Sequence, residues 1–149
     1  MPAPPFEPST SAPPPDLDRA RLDDVVRYEP EQTAVDLKRA QYHKAQHEAL
    51  LKDLLAMANA DVGGYRFIVC GVHAPPGEPR TFPGVPAAPF PDAATYQQLA
   101  AENIEPDLHL DYFPYTVDGT LFAVFRLSGC TERPYAMRKK FCALEHGHL

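Results

Sequence analysis

Residues 50–72 read LLKDLLAMANADVGGYRFIVCGV, and two periodicities meet inside them. Leu50, Leu51, Leu54, Leu55 and Ala58 recur at helical spacing, while Lys44, Glu48 and Lys52 fall on the other side, so residues 43–58 predict an amphipathic helix. Asn59 stands at its C-terminal boundary, where an amide serves as a cap. Gly63-Gly64 supplies the permissive backbone of a sharp turn. Tyr65 to Val72 is then too apolar for a half-exposed strand and belongs in the middle of a sheet.

Working outward, residues 33–38 predict a short strand with Val35 and Leu37 on one face and Asp36 and Lys38 on the other. The result is a strand–helix–strand unit with Glu31, Asp36 and Lys38 gathered near its start. Residues 16–28, DLDRARLDDVVRY, predict a helix capped by Asp16, with Leu17, Leu22, Val25 and Val26 as its apolar stripe. Glu29-Pro30 ends it, because the residue before proline is pushed out of the helical region. Residues 74–91 are crowded with prolines, which exclude regular structure and predict a functional or mobile loop crossing the sheet. Residues 92–103 predict a helix capped by Asp92. Asp118-Gly119, between two β-prone runs, is a strong hairpin signal, and Pro114 makes the first of those strands an edge or bulged one. The last stretch, MRKKFCALEHGHL, reads as one more basic extended segment. The fold class is α/β (α+β), with a mixed sheet of about four to six strands, a long central helix, a Pro-rich loop and a C-terminal hairpin.

Composition bounds the rest. The 149 residues suit one domain, and 44% of them are hydrophobic, enough for a core. Seven of the eighteen prolines fall in residues 1–15, which predict a disordered or polyproline-like arm, leaving 16–149 as the domain. The start lacks the pattern of a secretory signal and no stretch has the length of a membrane span, so a soluble, cytoplasmic protein is expected, with no membrane partner. A net charge of −6 counts against a strong nonspecific polynucleotide binder but leaves room for a local basic patch. Cys70, Cys130 and Cys142 are odd in number and form no CxxC pair, so free thiols are expected and a zinc spacing is not supported.

The order of parts resembles the Schlafen AlbA-like domain, a nucleic-acid-binding module. The residues that carry the resemblance are Asp36-Leu37-Lys38, Ala56-Met57-Ala58-Asn59, Gly63-Gly64, Gly71-Val72, Pro106 and Asp118-Gly119, followed by Arg133-Pro134-Tyr135 as the Arg-Pro-aromatic turn. It covers roughly residues 29–148, and the stretch from Ala58-Asn59 through Gly63-Gly64-Tyr65 to Gly71-Val72 is its most specific part. Two departures stand out. The family carries acidic residues just after Gly-Val, where this chain has His73 and Ala74. The family domain also continues past the equivalent of Gly147 into a further strand, so the expectation is a domain without its last strand, or a homo-oligomer or partner that completes the sheet edge.

Some relatives of that type are nucleases with three carboxylates, the first two lying five residues apart. Glu31 and Asp36 keep that spacing and are the candidate catalytic pair. With His73 they are also the candidate ligands of Mg²⁺ or Mn²⁺, although histidine is a poor Mg²⁺ ligand. Asp61 is the other acid in reach of a third position. The plainer reading makes Glu31 a solvated loop acid and pairs Asp36 with Lys38 or Arg39. The basic clusters Lys38-Arg39 and Arg138-Lys139-Lys140 are the candidate nucleic-acid contacts, gripping phosphate oxygens, or else ordinary charges guarding sheet edges. His43 and His47 have the spacing of a two-histidine metal face but lack a third ligand. Cys130 in a turn is the better candidate for a reactive thiol, and Cys70 reads as a core residue. Tyr112, Phe113, Tyr115, Phe122 and Phe125 are core aromatics before they are base-stacking ones. The leading expectation is a regulatory or defence-related domain that binds DNA or RNA and needs no cofactor. Its rivals are a metal-dependent RNA nuclease using Glu31 and Asp36, and a non-catalytic assembly domain that recruits proteins through its sheet edge and Pro-rich arm.

Overall fold

The computed structural model describes residues 12–138; most of the proline-rich arm, together with Lys139, Lys140 and Cys142, lies outside them. The elements run α1 (Arg19–Arg27), β1 (Val35–Lys38), a 3₁₀ turn (Lys44–Gln46), α2 (His47–Ala58), β2 (Arg66–Cys70), α3 (Ala93–Asn103), β3 (Ile104–Glu105), β4 (His109–Val117), β5 (Thr120–Ser128) and β6 (Ala136–Met137). A mixed sheet has the order β1-β2-β5-β4, with β1 parallel to β2 and the other pairs antiparallel. A second, two-stranded sheet pairs β3 with β6.

Strand alternation divides the core in two. Ile68, Cys70, Ala123 and Phe125 face α2 and α3, meeting Leu50, Leu54, Met57, Tyr96 and Ala100. Phe67, Val69, Phe113 and Val124 face the other way and meet Leu22, Val25 and Val26 of α1. β2 is buried at every position: Phe67 to Cys70 as an apolar run requires, and Arg66 with its guanidinium on the Ala60 and Val62 carbonyls. The five hairpin aromatics are all buried, so packing is their role. Asp118 (φ 52°) and Gly119 (φ 79°) both take positive φ, the type I′ geometry that matches strand twist. Counting back from that two-residue turn puts Pro114 among the positions whose N–H would point away from β5, so an edge strand loses no ladder bond there.

Three expectations need correcting. α1 is capped by Asp18, which accepts from the Arg21 N–H, not by Asp16. Asp16 instead binds the buried Arg126 guanidinium (3.1 Å) and the Tyr65 hydroxyl (3.1 Å). The Pro-rich loop is irregular but pinned. Gly84 N–H bonds Gly71 O, Val85 N–H bonds Leu121 O, and His73 and Thr81 exchange two backbone bonds. Arg80 donates to the carbonyls of Val25, Val26 and Glu29, so one guanidinium ties the loop to the C-terminal end of α1. Cys130, expected as the more reactive thiol, is buried, and burial raises its pKa against the opposing pull of Arg66.

Candidate functional site

β1 delivers Asp36 and Lys38 to the α2 side of the sheet because Val35 and Leu37 take the other face. There the Lys38 ammonium stands 3.6 Å from Asp36 Oδ2 and 3.3 Å from Asp53 Oδ2. The Tyr42 hydroxyl donates to Asp53 Oδ2 at 2.6 Å, and Lys38 Nζ lies 5.9 Å from the centre of the Tyr42 ring. Glu31 closes the group from the loop before β1, its carboxylate accepting from the Leu37 N–H at 3.0 Å. Glu31, Asp36 and Asp53 line a cleft of about 400 Å³, walled also by Thr33, Met57 and Ala60.

Burial in this cleft pushes the Asp36 carboxyl up to about 6; Lys38 opposes the rise, while Glu31 and Asp53 add to it. Burial pulls the Lys38 ammonium down, but Asp36 and Asp53 outweigh it and the net shift is upward. A carboxyl that titrates near neutrality beside a fixed ammonium can hold or release a proton.

Glu31 and Asp36 therefore come together. The acid that joins them, Asp53, was missed, although the sequence carried a signal. It sits three residues after Leu50 and four before Met57, a charge set into the buried stripe of α2. His73 is held elsewhere by its backbone bonds to Thr81, and Asp61 pairs with Arg133. The donor set does not fit Mg²⁺ or Mn²⁺. Lys38 already occupies the cation position between two of the three carboxylates, and no group of three His, Cys, Asp or Glu among the described residues is arranged to hold a metal ion. His43 and His47 make no metal face either. The His43 backbone N–H donates to the Gln46 side chain at the start of the 3₁₀ turn, and the His47 ring packs edge-on against Tyr96.

The basic candidates are dispersed. Lys38 ends β1 at one edge of the sheet, in the row of Cys70, Ala123 and Pro114. Arg39 beside it is exposed and forms no ion pair with a described residue. Arg138 pairs with Glu105 (3.0 Å) and Asp107 (3.1 Å), just before β4 begins at the opposite edge and the opposite end. Lys38 and Arg138 therefore stand at diagonal corners and share no patch. Asn59, the C-cap of α2, spends both ends of its side chain on the Tyr135 backbone, at 2.9 and 2.7 Å.

No family model matches the chain, and no curated protein does. Among solved structures, it is similar to the N-terminal domain of the "Putative ATP-dependent DNA Helicase RecG-related Protein" of Nitrosomonas europaea, with 19% identity, 79% of this chain and 78% of that one covered, and a TM-score of 0.52. At that identity the likeness is one of fold. No described helix is long and apolar enough to cross a membrane.

Proposed function

We propose that this chain is a nucleic-acid-binding domain of the Schlafen AlbA-like type, acting in regulation or defence as that resemblance implies. The observation that carries the reading is the shared fold, across most of both chains, with the N-terminal domain of a protein described as DNA-helicase-related. The motif order from Asp36 to Tyr135 supports it independently of the fold. Phosphate contact runs first through Arg39, whose charge no described acid neutralises, with Lys38 behind it. Arg138-Lys139-Lys140 is the second candidate contact, of which Arg138 lies apart from Lys38 and Arg39. Binding needs no cofactor. The metal-dependent nuclease reading is the weaker one, because Lys38 neutralises the carboxylates that would have to hold the ion.

The test is fluorescence anisotropy with labelled single-stranded RNA, single-stranded DNA and duplex DNA over a salt series. Affinity should fall with rising salt, by about 0.7 in logarithmic slope per neutralised phosphate of a single strand. Arg39→Ala should lower that slope by about one contact. A flat salt response, or no binding to any of the three, removes the reading.

A further inference from the structure

Three large hydrophobic side chains are exposed among the described residues: Tyr28 (71%), Phe82 (42%) and Tyr65 (38%). Tyr65 is already engaged, with the Arg126 guanidinium 4.3 Å from its ring centre and its hydroxyl on Asp16. The other two line the same cavity. It has a volume of about 390 Å³ and lies between the end of α1, the β4–β5 turn and the Pro-rich loop, on the side of the sheet away from Asp36 and Lys38. Val26, Val117 and Phe122 make its floor, and Phe82 rests edge-on against Phe122 at 6.2 Å.

The walls are fixed in advance. Arg27 clamps the turn through Asp118 at 2.9 Å, and Arg80 holds the loop to α1 through backbone carbonyls. Among the lining residues two guanidinium groups face one carboxylate, and that carboxylate is paired with Arg27. The charge of Arg80 has no carboxylate bonded to it; its partners are carbonyl oxygens. An apolar floor, exposed aromatic rings and a lining with two guanidinium groups to one carboxylate suit a ligand that is a flat ring at one end and an anion at the other. An apolar peptide satisfies the floor but brings no anion to the two guanidinium groups beside it.

We infer that this cavity takes one unstacked base of a single-stranded nucleic acid, its ring against Tyr28 and Phe82 and its phosphate towards Arg27 and Arg80. Stacking on aromatic side chains is tolerant of base identity, and a base inside a duplex is not available to it. The inference rests on the nucleic-acid reading but uses a different surface, and its test separates the two.

The chain contains no tryptophan, so Tyr28→Trp installs a single reporter at the rim. Titration with a 12-mer of single-stranded RNA or DNA should quench its emission, and UMP or AMP should do so at higher concentration. Ribose 5-phosphate and a proline-rich peptide should leave it unchanged. In parallel, anisotropy on Tyr28→Ala, Phe82→Leu and the double variant should show affinity for the single strand lowered about 10- to 100-fold in the double variant. The salt slope should stay at its wild-type value, because stacking neutralises no phosphate; Phe82→Leu keeps the apolar contact with Phe122 and so keeps the fold. If the wild type binds single strands and the double variant binds equally well, the cavity assignment is wrong while the binding reading stands. If the wild type binds no nucleic acid, both fall. If the proline-rich peptide alone quenches the reporter, the cavity belongs to a protein partner.

Discussion

At the scale of single residues, the charges in this molecule are placed by strand alternation. In β5, Phe122, Val124 and Arg126 point the same way, so a guanidinium enters an apolar layer. It is tolerated because Asp111 lies opposite in the register (2.9 Å) and Asp16 reaches in from before α1. Alternation in β1 delivers Asp36 to its cleft in the same way, and that carboxyl sets a pH signature. Its folded value is near 6, against 3.8 for the unperturbed side chain. The folded state therefore holds the proton more tightly than the unfolded state. The stabilisation is complete below about pH 4 and is lost as pH rises through 6. Asp36→Asn removes that dependence. The expected outcome is a stability difference between variant and wild type that shifts in the variant's favour between pH 4 and 6 and is level above 7, read by urea unfolding at each pH. A constant difference across that range would mean Asp36 does not titrate there.

Elements add constraints that no single side chain carries, and here the sequence was legible to uneven depth. The helix at 43–58, the buried strand after Gly63-Gly64, the helix behind Asp92 and the Asp118-Gly119 hairpin all follow from local pattern, and each stands in the structure with its end shifted by a few residues at most. What stayed hidden depends on partners distant in sequence. The β3–β6 pair joins segments about thirty residues apart and each strand is two residues long, too short for any period to register. Asp53 was missed because its partners Lys38 and Tyr42 lie on the preceding segment. The seat of the Pro-rich loop was invisible for a related reason, since it depends on two glycines meeting. A methyl group on Gly84 (φ 69°) would stand 2.8 Å from Thr120 Cγ2 and 2.9 Å from Leu121 O. Gly84→Ala should cost about 2–4 kcal/mol from strain and clash together, lowering Tm by on the order of 10 °C. Asn59 does comparable work between α2 and the segment before β6. Asn59→Ala should cost about 1–3 kcal/mol and expose residues 129–135 to limited proteolysis. Asn59→Asp keeps the acceptor for the Tyr135 N–H and should fall between the two.

For the molecule as a whole, the open question is what a sheet with helices on both faces does with its two edges. The expectation that a second chain completes one of them assumed unpaired backbone there. On β1 the outward groups are largely taken within the chain. Val35 exchanges two bonds with Gln32, and the Leu37 N–H is held by the Glu31 carboxylate. On β4 the Leu110 carbonyl accepts from the Gln97 side chain, and Pro114 offers no N–H at all. Glu31, read first as half of a catalytic pair, thus has a second employment: it covers an edge donor and places a negative charge where an incoming strand would dock. With the edges covered by Glu31 and Gln97, the chain should run as a monomer of 16.5 kDa in size-exclusion chromatography with light scattering, at every concentration tested. Replacing both by alanine uncovers one donor on β1 and one acceptor on β4, the complementary pair that edge-to-edge association needs. Its measured mass should then rise with concentration, while each single variant, with one edge still covered, should stay close to wild type. A wild-type dimer would show that side-chain caps are not what keeps these edges apart, and would return the edge to the list of partner surfaces.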